Sequence, residues 1–331
     1  MKKCMKAIAI LLSALLVMGC SATGCLAAEK TTKFEPFYRF DVDSPTAWKE
    51  PLSGLRLLTE GEYSLTPFSE DKIEKYGLDP DTMPDEKGMD TLNISGSAEF
   101  SEDQFHELAA KLRELAPGKD IYIVDCRIES HALLNGISVS WYGDHNWANK
   151  GKSLEEAEKD EQERFGSLIG KKITAYSVSE NAPDESEEIL VDRWMTEKEL
   201  VESEGFHYLR LPCQDHSWPY EEAIDTFIDL VQGIDTENTW MHFHCQAGKS
   251  RTGIFMAIYD MMKNPDVKFE DIMLRHAMTG SSYFPYVDES SDIADVYAFR
   301  AKRIRQVYDY IQEMDGEYTI PWSEWISQKE S

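Results

Sequence analysis

The stretch from Trp240 to Met262 constrains the fold of this chain more than any other. Trp240-Met241-His242-Phe243-His244 alternates like a buried strand, and Thr252 to Met262 is apolar enough for a core helix. Between them runs Cys245-Gln246-Ala247-Gly248-Lys249-Ser250-Arg251, a loop delivered to the helix N-terminus. Strand, loop and helix in that order make the unit of an α/β fold. The backbone N–H groups of Gln246, Ala247, Gly248, Lys249, Ser250 and Arg251 can converge there on a phosphate dianion, helped by the positive end of the helix dipole. Arg251 adds a bidentate, charge-assisted pair of hydrogen bonds to two phosphate oxygens. The same positive field favours the thiolate of Cys245, so nucleophile and anion trap are one object. A cysteine serving only as a small core residue would account for none of Gly248, Arg251 and the following helix. Gly248-Lys249-Ser250 copies the end of a Walker A loop, but that motif needs a glycine at position 243, which is Phe243.

The loop matches the Cys-x5-Arg signature of the protein tyrosine phosphatase superfamily, with Thr252 where that superfamily has the hydroxyl that assists thiolate loss. Cys213-Gln214-Asp215-His216-Ser217-Trp218-Pro219 resembles the general-acid loop, in the Asp-His-x-Trp-Pro form of the cysteine phytases. Further matches to the cysteine phytases are Asn93 to Ser97, Asp125 to His131, Ser140 to Gly143, Trp147-Ala148-Asn149 and Pro321 to Trp325, so the resemblance covers most of the chain from about Tyr38 onward. The resemblance implies a mostly parallel central sheet flanked by helices, with a small β-barrel-like accessory domain that includes roughly residues 165–196. It implies Cys245 as nucleophile, Asp215 as general acid and then base, Arg251 and the loop as phosphate holders, and Thr252 in phosphoenzyme breakdown. No metal or cofactor is required. His216 is expected to tune the acid or to contact a neighbouring phosphate, and Lys249 to reach a second phosphate. Arg56, Arg127, Glu129 and His131 are carried over as pocket or substrate residues. His244 is expected to orient the loop by hydrogen bonding, and His242, on the same face, to be structural. The sequence departs from the family where Val287-Asp288-Glu289-Ser290-Ser291-Asp292 replaces a lysine-rich stretch, leaving Arg300, Lys302 and Arg303 as the nearest cations. Asn146 stands where the family tends to carry an acid. These departures bear on substrate affinity and on the order of phosphate removal, and not on the chemistry.

The N-terminus reads as a secretory signal peptide over residues 1–28: Lys2, Lys3 and Lys6, an apolar run from Ala7 to Met18, then small residues. The run is too short to span a bilayer as a helix. Leu26-Ala27-Ala28 suits ordinary signal peptidase, whereas Val17-Met18-Gly19-Cys20 resembles a lipobox that would leave Cys20 lipidated and the protein attached to a membrane. Either outcome places the protein outside the cytoplasm. Cleavage after Ala28 leaves Cys126, Cys213 and Cys245, an odd number that implies no full disulfide framework. A reversible disulfide between Cys213 and Cys245 and a plain buried Cys213 both remain open. The formal charge of −27 becomes −30 once the three signal lysines are lost, which opposes nucleic acid as a partner. A polyphosphate substrate therefore needs a locally basic pocket on an acidic body.

Coarse periodicity fills in the catalytic domain, residues 34–331. Ser101 with Gln104 and Ser153 with Glu156 form capping boxes that open helices, the second over residues 154–166. Ile121 to Val124 and Phe206 to Leu211 read as strands, Tyr220 to Gln232 as a helix, and further helices fall near Phe269 to Met278 and Ala294 to Glu313. Lys172 to Val178 and Glu188 to Trp194 read as strands separated by a polar loop, Glu180 to Glu187. The function implied by the resemblance is stepwise hydrolysis of phosphate from myo-inositol hexakisphosphate or lower inositol phosphates. Two alternatives stand beside it: a phosphotyrosine or dual-specificity protein phosphatase, and a surface protein that binds phosphorylated ligands without turnover.

Overall fold

The strand Thr239–His244 is buried at all six positions, because it lies at the centre of a five-stranded sheet with helices on both faces. The computed structural model describes residues 34–42 and 46–330; the expected signal peptide and Cys20 lie outside them. The sheet order is His207–Arg210, Asp120–Asp125, Thr239–His244, Ile94–Ser97, Arg56–Leu58. The first four strands are parallel, and Arg56–Leu58 closes the edge antiparallel. Met241 and Phe243 turn to one face, packing with helices Glu221–Gly233, Ser250–Lys263 and Phe269–Met278. Trp240 turns to the other, against helix Glu102–Leu115. Helix Ser250–Lys263 is buried from Arg251 to Met261, which explains a sequence apolar around its whole circumference.

A second sheet has six strands in the order Ala182–Leu190, Lys172–Ser179, Phe37–Phe40, Ile137–Tyr142, His131–Leu134, Trp194–Met195. Helix Leu154–Gly166 packs on it through Ala157 and Phe165. One expectation fails here. The residues read as a polar loop belong to Ala182–Leu190, a nine-residue strand with eight exposed positions. Its register on Lys172–Ser179, through a turn at Glu180 and Asn181 with φ of +49° and +60°, makes it a strand, so no hydrophobic alternation marks it. Its run of acids is the kind of charge that protects an open sheet edge.

The described residues fall in one compact unit, and no helix among them is long and apolar enough to cross a membrane. Both expected capping boxes form with both of their hydrogen bonds, and a third opens helix Glu197–Ser203 at Thr196 and Glu199. The parallel strands ending at Asp125, Arg210 and His244 point their C-terminal ends at one place, where ligands bind in sheets of this kind.

Candidate active site

Cys245 follows the central strand directly, and the loop behind it is held by its carbonyls. Glu99 N–H donates to the Gln246 carbonyl at 3.1 Å, and Arg56 Nη1 donates to the Gly248 carbonyl at 2.7 Å. Tying carbonyls back is what a loop needs if its N–H groups are to converge on an anion. Gly248 has φ +66°, and a Cβ there would lie 2.4 Å from backbone atoms of Ser97 and Ala98, so only glycine lets the loop press this closely on the neighbouring strand end. Gln246, Ala247, Lys249, Ser250 and Arg251 line the cavity with Cys245.

Four side chains form a closed ring beside Cys245. Arg251 Nη1 donates to both Glu129 oxygens, at 2.8 and 2.6 Å, and Arg251 Nη2 lies 3.1 Å from Asp215 Oδ2. Asn146 Nδ2 donates to Glu129 Oε1 at 2.9 Å and to Asp215 Oδ2 at 3.1 Å. Burial alone would raise the pKa of Asp215, but the Arg251 guanidinium outweighs it, with His216, the Asn146 hydrogen bond and Arg39 adding to the effect. The carboxyl is held well below the usual range. The loop that carries Asp215 is pinned as well: Trp147 Nε1 donates to the Asp215 carbonyl at 2.9 Å, and Arg300 Nη1 to the His216 carbonyl at 3.0 Å. His216, with φ +65°, lines the cavity with its ring Nδ1 3.4 Å from the Tyr297 hydroxyl, and burial lowers its pKa. Thr252 is fully buried, and its Oγ1 has no hydrogen-bond partner.

Three residues expected at the substrate stand elsewhere. Arg56 is buried behind the loop, where it spends its guanidinium on Gly248 and on Ser281 Oγ at 3.2 Å. Arg127 is fully buried among Asp41, Asp125, Glu99 and Glu197, at 2.9 to 3.1 Å from each. His131 sits in the same cluster, and Asp125 and Glu161 hold it protonated against burial and two arginines, with a pKa pushed up to about 10. Glu129 touches the site through Arg251. His244 lies between Glu99 and Glu197, which overcome burial and raise its pKa to about 10; His242 bridges Ser95 and Ser97. Lys302 and Arg303 pair with Glu330 instead of facing the cavity. Glu99, Glu197 and His244, and likewise Asp125, His131 and Glu197, have the donor types and spacing of metal triads. Arg127 already occupies the carboxylates of both.

The cavity of about 660 Å³ also takes residues that sequence reasoning missed. Arg39 comes from the first strand, Lys75 from helix Glu70–Tyr76, Tyr142 from the second sheet, and Tyr297 from helix Ala294–Met314, where Arg300 also lies. No local pattern marks them, because they converge from segments more than 200 residues apart. Five of the lining side chains are Arg or Lys (Arg39, Lys75, Lys249, Arg251, Arg300) against three acids (Glu180, Asp215, Asp288). The balance is the reverse of the whole chain, where 61 Asp and Glu outnumber 34 Lys and Arg. Asp288, from the acidic replacement segment, lies 3.8 Å from Lys75 at this cavity.

The family described as PTP-like phytase, inositol hexakisphosphate, matches residues 124–263, which hold the ring and the loop. Over these residues the chain matches the protein tyrosine phosphatase-like phytases. Its fold is similar to the tandemly repeated PTP-like phytase of Mitsuokella multacida, with 36% identity and a TM-score of 0.78 over 89% of this chain and 50% of that one. The PTP-like myo-inositol phosphatase of the same organism, in complex with myo-inositol-(1,3,4,5)-tetrakisphosphate, gives 35% identity, a TM-score of 0.76 and the same coverage. A PTP-like phytase from Bdellovibrio bacteriovorus gives 28% identity and a TM-score of 0.65 over 89% of this chain and 96% of that one. This phytase-like chain thus spans about half the length of the Mitsuokella relatives.

Proposed function

We propose that the chain is a phosphomonoesterase that removes phosphates stepwise from myo-inositol hexakisphosphate or lower inositol phosphates. The observation that carries this reading is the cavity: Cys245, Arg251 and Asp215 meet on its floor, and Arg39, Lys75, Lys249 and Arg300 stand around them on a protein otherwise strongly acidic. A single phosphate fills the loop, so cations beyond it suit a substrate carrying several, Lys249 first among them, since Arg300 also holds the His216 carbonyl and Arg39 also pairs with Asp41. The tetrakisphosphate bound to the Mitsuokella relative supports an inositol ring as the carrier.

In the proposed reaction Cys245 Sγ attacks phosphorus in line and the ester P–O bond breaks. Asp215 delivers its proton to the departing oxygen, leaving a cysteinyl-phosphate. A water then attacks the phosphorus, Asp215 takes the water proton, and the S–P bond breaks to release phosphate. Arg251 and the loop N–H groups hold the non-bridging oxygens throughout. Asp215 is ionised while it pairs with Arg251. A phosphate that takes over Arg251 both removes that cation from Asp215 and sets an anion beside it, so substrate binding itself raises the affinity of the acid for its proton. Activity should accordingly favour acidic pH.

The test is phosphate release from a panel of inositol phosphates and tyrosine phosphopeptides between about pH 4 and 7, with Cys245→Ser as control. Several phosphates released per hexakisphosphate, and none by the variant, support the reading; good phosphopeptide turnover with negligible inositol phosphate cleavage overturns it. We also propose export through the N-terminal segment, with lipidation at Cys20. Cell fractionation with Cys20→Ala checks this: the variant should move from the membrane fraction to the medium, and full-length protein retained in the cytoplasm would contradict export.

A further inference from the structure

Most of what holds the Asp215 carboxyl cannot hold it during the reaction. Arg251 Nη2, 3.1 Å from Oδ2, must turn to the phosphate, and the His216 N–H on Oδ1 at 2.9 Å belongs to the same loop as Asp215 and gives it no anchor outside that loop. Asn146 has neither problem. Its Nδ2 donates to Asp215 Oδ2 and to Glu129 Oε1, and its own Oδ1 is buried without a partner, so these two donations alone fix the amide. The segment that carries it is anchored independently of the signature loop. Asn146 N–H donates to the Gly143 carbonyl at 2.7 Å, and Asn181, from the hairpin tip of the second sheet, accepts from His145 N–H at 2.9 Å and donates to Asp144. Asn146 itself takes φ +65°, a left-handed conformation that asparagine tolerates better than most residues.

We propose that Asn146 is a positioning residue that keeps the Asp215 carboxyl aimed at the leaving oxygen once Arg251 has turned to the phosphate. The proposal rests on the reading of Asp215 as general acid. Where the family tends to carry an acid, the amide of this chain carries no charge at any working pH, so it donates to Glu129 and Asp215 without setting a third negative charge beside them. The groups facing Asp215 are Arg251 and Cys245 from the signature loop, Cys213 and His216 from its own loop, Arg39 from the first strand, Glu129 beyond the strand Asp120–Asp125, Tyr142 from the second sheet, and Tyr297 and Arg300 from helix Ala294–Met314. Of these, Arg251, His216 and Arg39 favour the carboxylate, as the Asn146 donation does. Removing that donation therefore makes the acid easier to protonate while leaving it poorly aimed.

The experiment compares Asn146→Ala and Asn146→Ser with wild type on two esters: an inositol phosphate, whose alkoxide leaving group needs a proton, and 2,4-dinitrophenyl phosphate, whose leaving group does not. Folding is checked by thermal melt, and the serine variant serves if alanine fails to fold. The expected result is a kcat loss on the inositol phosphate of about tenfold or more, part of the 10²–10⁴-fold that a general acid supplies, with less than about threefold on the aryl ester. The alkaline limb of the kcat profile should move up by about half to one pH unit. In an Asp215→Asn background the Asn146 change should cost nothing further on the inositol phosphate. Equal losses on both esters, or a full additional loss in that background, overturn the proposal and leave Asn146 a structural residue. Unchanged inositol phosphate turnover in Asp215→Asn alone would instead remove the acid assignment, and the proposal with it.

Discussion

Replacing Gly248 by alanine tests whether the loop is held in place by its contact with the neighbouring strand. The new Cβ would lie 2.4 Å from Ala98 N, Ser97 C and Ser97 O, where ordinary contact begins at 3.4 Å, so the two backbones must separate by about 1 Å. Neither side yields easily. Ser97 is in register with His244 in the parallel ladder, and Gly248 is gripped through its carbonyl by Arg56. The left-handed φ adds a cost of about 1–2 kcal/mol for any residue with a Cβ. A displacement of about 1 Å in groups that position a reacting phosphate costs about 10²-fold in rate. Gly248→Ala should therefore lose about 10²-fold in kcat/KM for phosphate release. Gly118→Ala separates the two effects, because Gly118 has φ +75° with nothing within 4 Å of a Cβ. It should lose about 2 °C or more in Tm and keep its activity. The assay is phosphate release at saturating and limiting substrate, with a thermal melt of each variant. Gly248→Ala within threefold of wild-type activity, at unchanged Tm, would refute the reasoning.

Other consequences can be checked with simpler measurements. Arg127→Met leaves Asp41, Glu99, Asp125 and Glu197 facing one another and should cost about 3–5 kcal/mol in a denaturant melt; an unchanged midpoint would return Arg127 to the list of substrate contacts. His131 and His244, each raised from 6.5 to about 10, stabilise fully below pH 6.5 and lose that contribution as pH rises through about 10. Glu197, lowered from 4.5 to about 2, contributes above pH 4.5 and loses it as pH falls through about 2. Tm should thus peak between about pH 4.5 and 6.5, and a maximum above pH 8 would contradict the cluster's charge states. Lys249→Ala should raise KM for an inositol polyphosphate about fivefold more than for a monophosphate ester, the worth of one exposed cation at about 1 kcal/mol. Equal changes in the two would place Lys249 on the reacting phosphate instead.

What can be read in advance is structure fixed by local order. The strand, loop and helix around Cys245, the acid loop at Asp215 and the capping boxes at Ser101 and Ser153 each depend on residues a few positions apart, and each stands where the spacing put it. The third box, Thr196 with Glu199, carries the same signal in the sequence. The misplacements share one cause. Arg56 and His131 open strands and Arg127 follows one, and a position at a strand end does not say on which side of the sheet a side chain emerges. The polar strand Ala182–Leu190 was illegible because pairing, not burial, makes it a strand. Arg39 and Lys75 were illegible because their nearness to Cys245 exists only after the chain has closed.

The buried cluster around Arg127 draws its members from both sheets: Arg39, Asp41 and His131 from the six-stranded sheet or the end of its first strand, Asp125, Arg210 and His244 from the five-stranded one, with Glu99, Glu161 and Glu197 between. Neither sheet can be shed without stranding charges in the other, so the smallest fragment of this scaffold that folds must keep both. Freedom to vary is pushed to the rim. At the hairpin tip Asn181 anchors the segment of Asn146, but its neighbour Glu180 reaches the cavity from an exposed strand pair and carries none of the buried charges, which makes position 180 the place where new substrate preferences can be tried without unsettling Cys245.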